Sequence, residues 1–190
     1  EIAVEPSFDG HVYNGDFETG DLTKWEAHCG DVKVVKSDDG YAAQLGCNHQ
    51  WAGTLVQKNI PLEANTDYVM TVKAKGVSGV PTDAEADFKT ELRDSTSESV
   101  LDGTGLCLTV TDDWTVYTAK FNSGNSTNVY LKLFSFGTGN VVLMDDFSIA
   151  VAPEEPEEPE VENLIVNGDF TDGKNGWNID GWCAANVAIV

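Results

Sequence analysis

The sequence NGDFETG occupies residues 14–20 and is followed by Trp25. Near the C-terminus it recurs as NGDFTDG at residues 167–173, again followed by a tryptophan, Trp177. A repeated stretch with similar spacing is typical of duplicated structural modules. The chain therefore contains the starts of two modules of one kind, and the rest is interpreted from these two points.

Between the first start and residue 151, apolar and polar residues alternate. Residues 67–76 place Tyr68, Met70, Val72 and Ala74 on one face and Val69, Thr71, Lys73 and Lys75 on the other. A similar alternation occurs in residues 86–93, 105–110, 114–121, 128–136 and 141–151. A period of two with Gly, Asn, Asp and Ser at the breaks indicates antiparallel strands. We therefore predict an all-β protein, an antiparallel β-sandwich or jelly roll.

The composition changes at residues 153–160, PEEPEEPE, which favour a stiff and solvated spacer. We predict a leader at 1–10, a β-sandwich module at 11–151, a Pro/Glu linker at 152–162 and the N-terminal fragment of a second, similar module at 163–190. So short a fragment cannot close a sandwich, and we expect the natural chain to continue beyond this truncated second module.

The chain carries 32 acidic and 11 basic residues, a net charge of −21. This balance argues against nucleic acid and anionic membranes as partners. Carboxylates also attract hard cations such as calcium, although solubility alone would explain the charge. The three histidines are dispersed, and there is neither a Gly-x-Ser-x-Gly motif nor a phosphate loop, so we predict no catalysis.

The four cysteines form no CxxC pair, which argues against a zinc ribbon. The sequence SDDG at residues 37–40 predicts a hairpin between residues 32–36 and 41–45. Extending that register puts Cys29 nearly opposite Cys47, a candidate cross-strand disulfide. The alternative is that both cysteines are reduced and buried.

Asp145 lies in a stretch that otherwise has core character. A regular alternation puts it on the same face as Phe147 and Ile149, so we expect its carboxylate to point inward. A buried carboxylate without a counter-charge is costly, and a calcium ion shared with Glu18 would offset that cost. The alternative is that Asp145 accepts backbone N–H bonds at the end of a sheet.

Three aromatic residues of segment 128–136 lie opposite its aliphatic face: Tyr130, Phe134 and Phe136. Sugars present apolar C–H faces that stack on flat rings, and polar side chains at the rim bond their hydroxyls. We therefore predict a ligand site on this face. The alternative for Phe134 and Phe136 is a second small core beneath a loop.

The first module start resembles the opening of carbohydrate-binding modules of the family 4/9, 16 and 22 group. Three later stretches agree with this resemblance: NHQWAG at 48–53, DW at 113–114 and MDDFSI at 144–149. The resemblance covers residues 11–151. It implies a jelly roll, a structural calcium ion, no catalysis and binding of plant-type polysaccharide such as β-glucan, cellulose, xylan or mannan.

By this resemblance, Trp51 is the strongest candidate for a sugar platform, with a core position as its alternative. Polar side chains near the platform are candidate partners for sugar hydroxyls: Gln57, Glu91, Arg93 and Lys132. The implied calcium shell consists of Glu18, Asp145 and backbone carbonyls near Asp16 and Lys36.

These observations predict a secreted or cell-surface, non-catalytic module that targets a larger multi-module protein to polysaccharide. The alternative is a structural or adhesion spacer that binds protein and not sugar. An open aromatic groove favours the first hypothesis, whereas aromatics enclosed beneath loops favour the second.

Overall fold

The computed structural model describes residues 8–9, 11–46, 53–77, 88–136, 139–153, 169–172 and 175. The chain divides into two compact units, Glu1–Pro153 and Glu154–Val190. The described parts of the chain contain no helix with the length and apolar character needed to cross a membrane.

The regular elements that the structure describes in the first unit are all strands. The strands are β1 Phe8–Asp9, β2 Val12–Tyr13, β3 Glu26–Cys29, β4 Asp31–Ser37, β5 Gly40–Gly46, β6 Thr54–Pro61, β7 Asp67–Gly76, β8 Phe88–Asp94, β9 Cys107–Leu108, β10 Thr115–Asn122, β11 Asn128–Ser135 and β12 Val141–Val151. Strand β7 has the predicted bounds, and its four apolar residues are buried as predicted.

Two five-stranded antiparallel sheets form the module, beside a short β1–β2 ribbon. The first sheet has the order β10-β7-β12-β5-β4 and the second β3-β6-β11-β8-β9. Alternate residues of both sheets form one hydrophobic core, with Met70, Val72, Leu131, Leu133 and Phe147 at most 1% exposed. The predicted all-β sandwich is confirmed. The inner face of each sheet packs into the core, and the remaining side chains of each strand lie on the outer faces.

The side chain of Trp25 is buried in the core beside the first module start. Its side chain is only 6% exposed, and its indole N–H donates to the carbonyl of Asn14 at 3.0 Å. Its ring centroid lies 5.5 Å from that of Phe17 and 6.4 Å from that of Phe147. The tryptophan of the repeated stretch is thus part of the core and not a surface platform.

The parts of the two copies that the structure describes in both, residues 16–19 and 169–172, make the same local turn. Phe17 has φ +53° and Phe170 has φ +58°. The Asp16 carboxylate accepts the backbone N–H two residues ahead at 3.3 Å, and that of Asp169 does so at 3.2 Å. The two stretches therefore share a backbone conformation as well as a sequence.

The β4–β5 hairpin has the register that its turn predicted, pairing Asp31 with Gly46. The predicted Cys29–Cys47 pairing was nevertheless wrong for Cys29, which lies on β3 opposite Thr54 in the other sheet. The chain changes sheets at Gly30, whose φ is +71°, so the hairpin register does not extend to Cys29. Cys29 is exposed and free, and Cys47 lies outside the described residues.

A β-bulge in β12 corrects the expected orientation of Asp145. Asp145 lies opposite Lys73, and the register then shifts around Asp146, whose φ is +49°. The extra residue reverses the alternation, so Met144 and Phe147 both point into the core. Asp145 was predicted to share the inward face of Phe147 and Ile149, but it lies beside Lys73 on the outer face of the first sheet.

Gly15 should not tolerate a side chain, because its Cβ would lie 2.0 Å from the carbonyl oxygen of Phe147. We expect Gly15→Ala to lower the free energy of unfolding by roughly 3 kcal/mol and the melting temperature by about 10 °C. Gly105→Ala is the control, because no atom lies within 4 Å of its added carbon. Equal melting temperatures of the two variants in thermal denaturation would contradict this account.

Candidate functional site

The outer face of the second sheet brings together side chains from three central strands. Strand β11 pairs with β6 on one side and β8 on the other, so Lys132 lies between Val56 and Glu91. Tyr130 is likewise opposite Arg93. Because directly opposite residues share a face, these five side chains form one continuous surface.

A groove of about 360 Å³ opens on this surface, which we call the β6–β11 groove. It is lined by His28, Val56, Lys58, Asn59, Ser95, Glu98, Tyr130 and Lys132. Val56 is 2% exposed but does not belong to the core between the sheets, so it provides an apolar floor. An apolar floor with a few polar groups around it is the usual chemistry of a ligand site.

A bulge shapes the groove. The β6–β11 register shifts between Val129 and Leu131, and on β6 the φ of Asn59 is +59°. The irregular backbone directs Lys58 and Asn59 toward Tyr130, where a regular strand would turn one of the two to the other face.

Tyr130 is held in place by the loop after β8. Its hydroxyl donates to the Glu98 carboxylate, and the Arg93 guanidinium donates to the Glu98 carbonyl at 2.9 Å. Burial, and then the bond to Glu98, raise the pKa of Tyr130. Asp94 stabilises the loop by accepting the N–H of Ser97 at 2.7 Å, and such bonds lower the pKa of Asp94 to about 2. The ring therefore forms a fixed wall with a neutral hydroxyl.

Glu91 and Arg93 lie on the predicted face but bind mainly each other. The Glu91 carboxylate is 2.6 Å from the Lys89 ammonium and 2.7 Å from the Arg93 guanidinium. Burial raises the pKa of Glu91, but the hydrogen bonds from Lys89 and Arg93 outweigh it, so its pKa falls below the usual range. Glu91 is only 5% exposed, so its role here is to orient the two cations.

Phe134 and Phe136 form a stacked pair at the end of β11, with ring centroids 5.9 Å apart and planes inclined by 28°. Both rings are partly buried and neither lines the groove. The Lys132 ammonium lies 4.9 Å from the centroid of the Phe134 ring. The pair thus continues the aromatic side of β11 beyond Tyr130.

Gln57 is not a groove residue, which corrects the prediction that it contacts sugar. It is 3% exposed, and its amide accepts the N–H of Tyr13 at 2.9 Å and donates to the Tyr13 carbonyl at 2.8 Å. The side chain therefore continues the backbone pairing toward β2. Trp51, the predicted platform, lies outside the described residues.

Sequence reasoning missed the groove residues on irregular backbone: His28, Lys58, Asn59, Ser95 and Glu98. They come from a short edge strand, a bulge and a loop, none of which has a clear period-two pattern. The one available signal was the interruption of alternation in β6 around residues 57–59.

A second polar cluster joins the module start to the first sheet. The Glu18 carboxylate accepts the backbone N–H of Tyr41 at 2.9 Å, and Tyr41 is the strand partner of Lys36. Asp145 accepts the N–H of Asp146 at 2.8 Å, which is the backbone bond anticipated as the alternative to a metal. Among the described residues, no three His, Cys, Asp or Glu side chains converge, so a cation here would need backbone carbonyls as well.

The pKa of Asp145 is raised to about 7, chiefly by burial. The N–H of Asp146 lowers it, the Asp146 charge raises it, Lys73 lowers it and the Glu18 charge raises it. The partly buried Asp145 carboxylate is thus acted on by acidic charges from two segments of the chain, β12 and the loop that carries Glu18.

Residues 9–138 match the carbohydrate binding domain family CBM_4_9. The match covers more than half of the chain, and the protein therefore belongs to this family. No curated protein matches the chain.

Several solved carbohydrate-binding modules share the fold. The CBM22-1 xylan-binding domain of Paenibacillus barcinonensis Xyn10C has a TM-score of 0.57 at 18% identity, covering 74% of this chain and 94% of its own. Family 16 Carbohydrate Binding Module-2 has a TM-score of 0.59 at 15% sequence identity, and the match covers 74% of this chain and 99% of that module. TmCBM61, solved in complex with β-1,4-galactotriose, has a TM-score of 0.52 at 19% sequence identity, and the match covers 77% of this chain and 100% of that one. Family and fold together indicate a non-catalytic binding domain.

Asp145 should make the metal-free protein less stable as pH rises. Its pKa of about 7 in the folded state exceeds its ordinary value of 3.8, so stability is lost between about pH 4 and pH 7. Asp145→Asn resembles the protonated acid and lacks this loss. In metal-stripped samples, the urea midpoint of the variant should therefore rise relative to wild type across this range. A constant difference from pH 4 to pH 8 would refute the assignment.

Proposed function

We propose that the module binds a plant-type polysaccharide, a β-glucan or cellulose, a xylan or a mannan, in the β6–β11 groove. The observation that carries this proposal is the fixed, partly exposed ring of Tyr130 beside the apolar floor at Val56. A pyranose face can stack on this ring, while His28 and Asn59 offer hydrogen bonds to hydroxyls.

The ligand classes of the structural neighbours support a polymeric sugar. One neighbour is a xylan-binding domain, and another was solved with β-1,4-galactotriose. The aromatic row from Tyr130 to Phe134 along β11 would allow contacts with more than one unit of such a chain. Because these rings are not enclosed by described residues, the row also favours sugar binding over a spacer role.

A structural calcium ion is part of the proposal. Glu18 and Asp145 would supply carboxylate oxygens, and carbonyls near Asp16 and Lys36 would supply the rest. The raised pKa of Asp145 supports this assignment, because an unpaired carboxylate in this position lacks sufficient counter-charge. The ion would tie the module start to β12 and to the β4–β5 hairpin.

We propose that the module acts outside the cell, in a secreted or cell-surface protein of several modules. The second module start beyond the Pro/Glu linker supports this organisation. A linked second module would increase avidity on a polymer by raising the effective concentration.

Tyr130→Ala should weaken polysaccharide binding by about tenfold, because it removes the stacking surface. The measurement is retardation in native gels that contain soluble β-glucan, xylan or mannan. Tyr13→Ala is the matched control, since Tyr13 is 42% exposed and does not line the groove. Retardation of Tyr130→Ala equal to wild type would exclude the groove as the binding site.

Removal of calcium should lower the melting temperature by about 5 °C or more, because a bound ion stabilises only the folded state. Differential scanning fluorimetry with chelator, and then with excess calcium, measures the effect. Glu18→Gln should remove most of the calcium response, whereas Asp31→Asn, on the exposed edge strand β4, should keep it. The absence of a calcium response in wild type would rule out the ion.

A further inference from the structure

The β6–β11 groove differs in charge from the rest of the chain. The net charge of the protein is −21, yet the groove is lined by two lysines, a histidine and a single carboxylate. That carboxylate, of Glu98, already accepts a hydrogen bond from the Tyr130 hydroxyl. Glu26, beside the groove, lies 2.7 Å from the Lys58 ammonium and 3.3 Å from the His28 ring, so it is already the partner of both. Lys132 is the remaining cation of the groove lining, and it suits a ligand that carries negative charge.

Lys132 is the distinctive cation of this surface. Lys58 is 2.7 Å from Glu26, while Lys89 and Arg93 share Glu91. Among the described residues, no carboxylate lies within ion-pair distance of the Lys132 ammonium. The ammonium instead lies 4.9 Å from the centroid of the Phe134 ring. Its strand partner Glu91 is held by Lys89 and Arg93, and Glu98 bonds Tyr130, so the partly buried Lys132 makes no ion pair with either carboxylate.

We infer that the groove selects a polysaccharide bearing anionic groups, with the anion at the Lys132 ammonium and a sugar ring against Tyr130. The anion is a uronate carboxylate or a sulfate ester, which share the negative oxygens that an ammonium recognises. This inference rests on the proposed function and names its substrate class.

The net negative charge of the chain repels an anionic ligand, whereas Lys132 attracts it. Which effect is larger depends on the distance over which each one acts. At physiological ionic strength the screening length is about 8 Å, so distant carboxylates contribute little at the groove. A contact between Lys132 and an anion acts over about 3–4 Å and is screened much less. The local attraction therefore prevails at physiological salt.

The test compares polymers of one backbone with and without charge. Glucuronoxylan is paired with neutral xylan and sulfated galactan with neutral galactan, and dissociation constants are measured by isothermal titration calorimetry at physiological ionic strength. We expect wild type to prefer the charged member of at least one pair by about three- to fivefold. The preferred pair identifies carboxylate or sulfate as the anion.

Lys132→Met should abolish this preference, so that the charged and neutral members of a pair bind with equal affinity, while methionine keeps the apolar stem beside Phe134. Lys132→Arg should retain the preference. The control is Lys33→Met, which removes the same charge from the exposed face of β4, and it should behave like wild type. Melting temperatures of all variants establish that they are folded.

Two outcomes would overturn the inference. One is equal affinity of wild type for both members of each pair, with neutral binding intact, which leaves the proposed function standing. The other is a charge preference that Lys132→Met and Lys33→Met reduce equally, which assigns it to the whole chain. Failure to bind any of the four polymers would contradict the inference, and failure to bind β-glucan, cellulose and mannan as well would contradict the proposed function.

Discussion

The close approach of Gly15 to Phe147 is the contact on which the module depends. The N–H of Phe147 donates to the Gly15 carbonyl at 2.9 Å, so the module start is hydrogen-bonded directly to the bulge of β12. No room remains for a side chain at residue 15, and Trp25 fills the space behind. One backbone contact thus joins the beginning of the module to its last strand.

This contact also explains why Asp145 faces outward. The bulge at Asp146 allows Met144 and Phe147 both to enter the core, and it leaves the Asp145 carboxylate beside the loop that carries Glu18. A similar irregularity in β6 directs Lys58 and Asn59 into the groove on the other sheet. Both candidate sites therefore depend on bulges, which change side-chain direction without breaking a sheet.

The groove residues on β11 could be predicted from the sequence, whereas those on the edge strand, the bulge and the loop could not. The alternation of β11 placed Tyr130, Lys132 and Phe134 on the outer face, where the structure has them. Gln57 was assigned to the same surface as Trp51, whereas it pairs with the core residue Leu131 and therefore faces inward, where its amide binds Tyr13. His28 and Glu98 lie on an edge strand and a loop, whose positions depend on contacts distant in sequence.

The sequence by itself determined the strands, their buried faces and the repeated turn, because period-two alternation and turn chemistry act over a few neighbouring residues. Only the tertiary structure decided that the chain changes sheets at Gly30, that Asp145 points outward and that Lys132 makes no ion pair with a described carboxylate. These features depend on which strands lie opposite one another. That choice is made by packing across the whole sandwich, which local patterns do not encode.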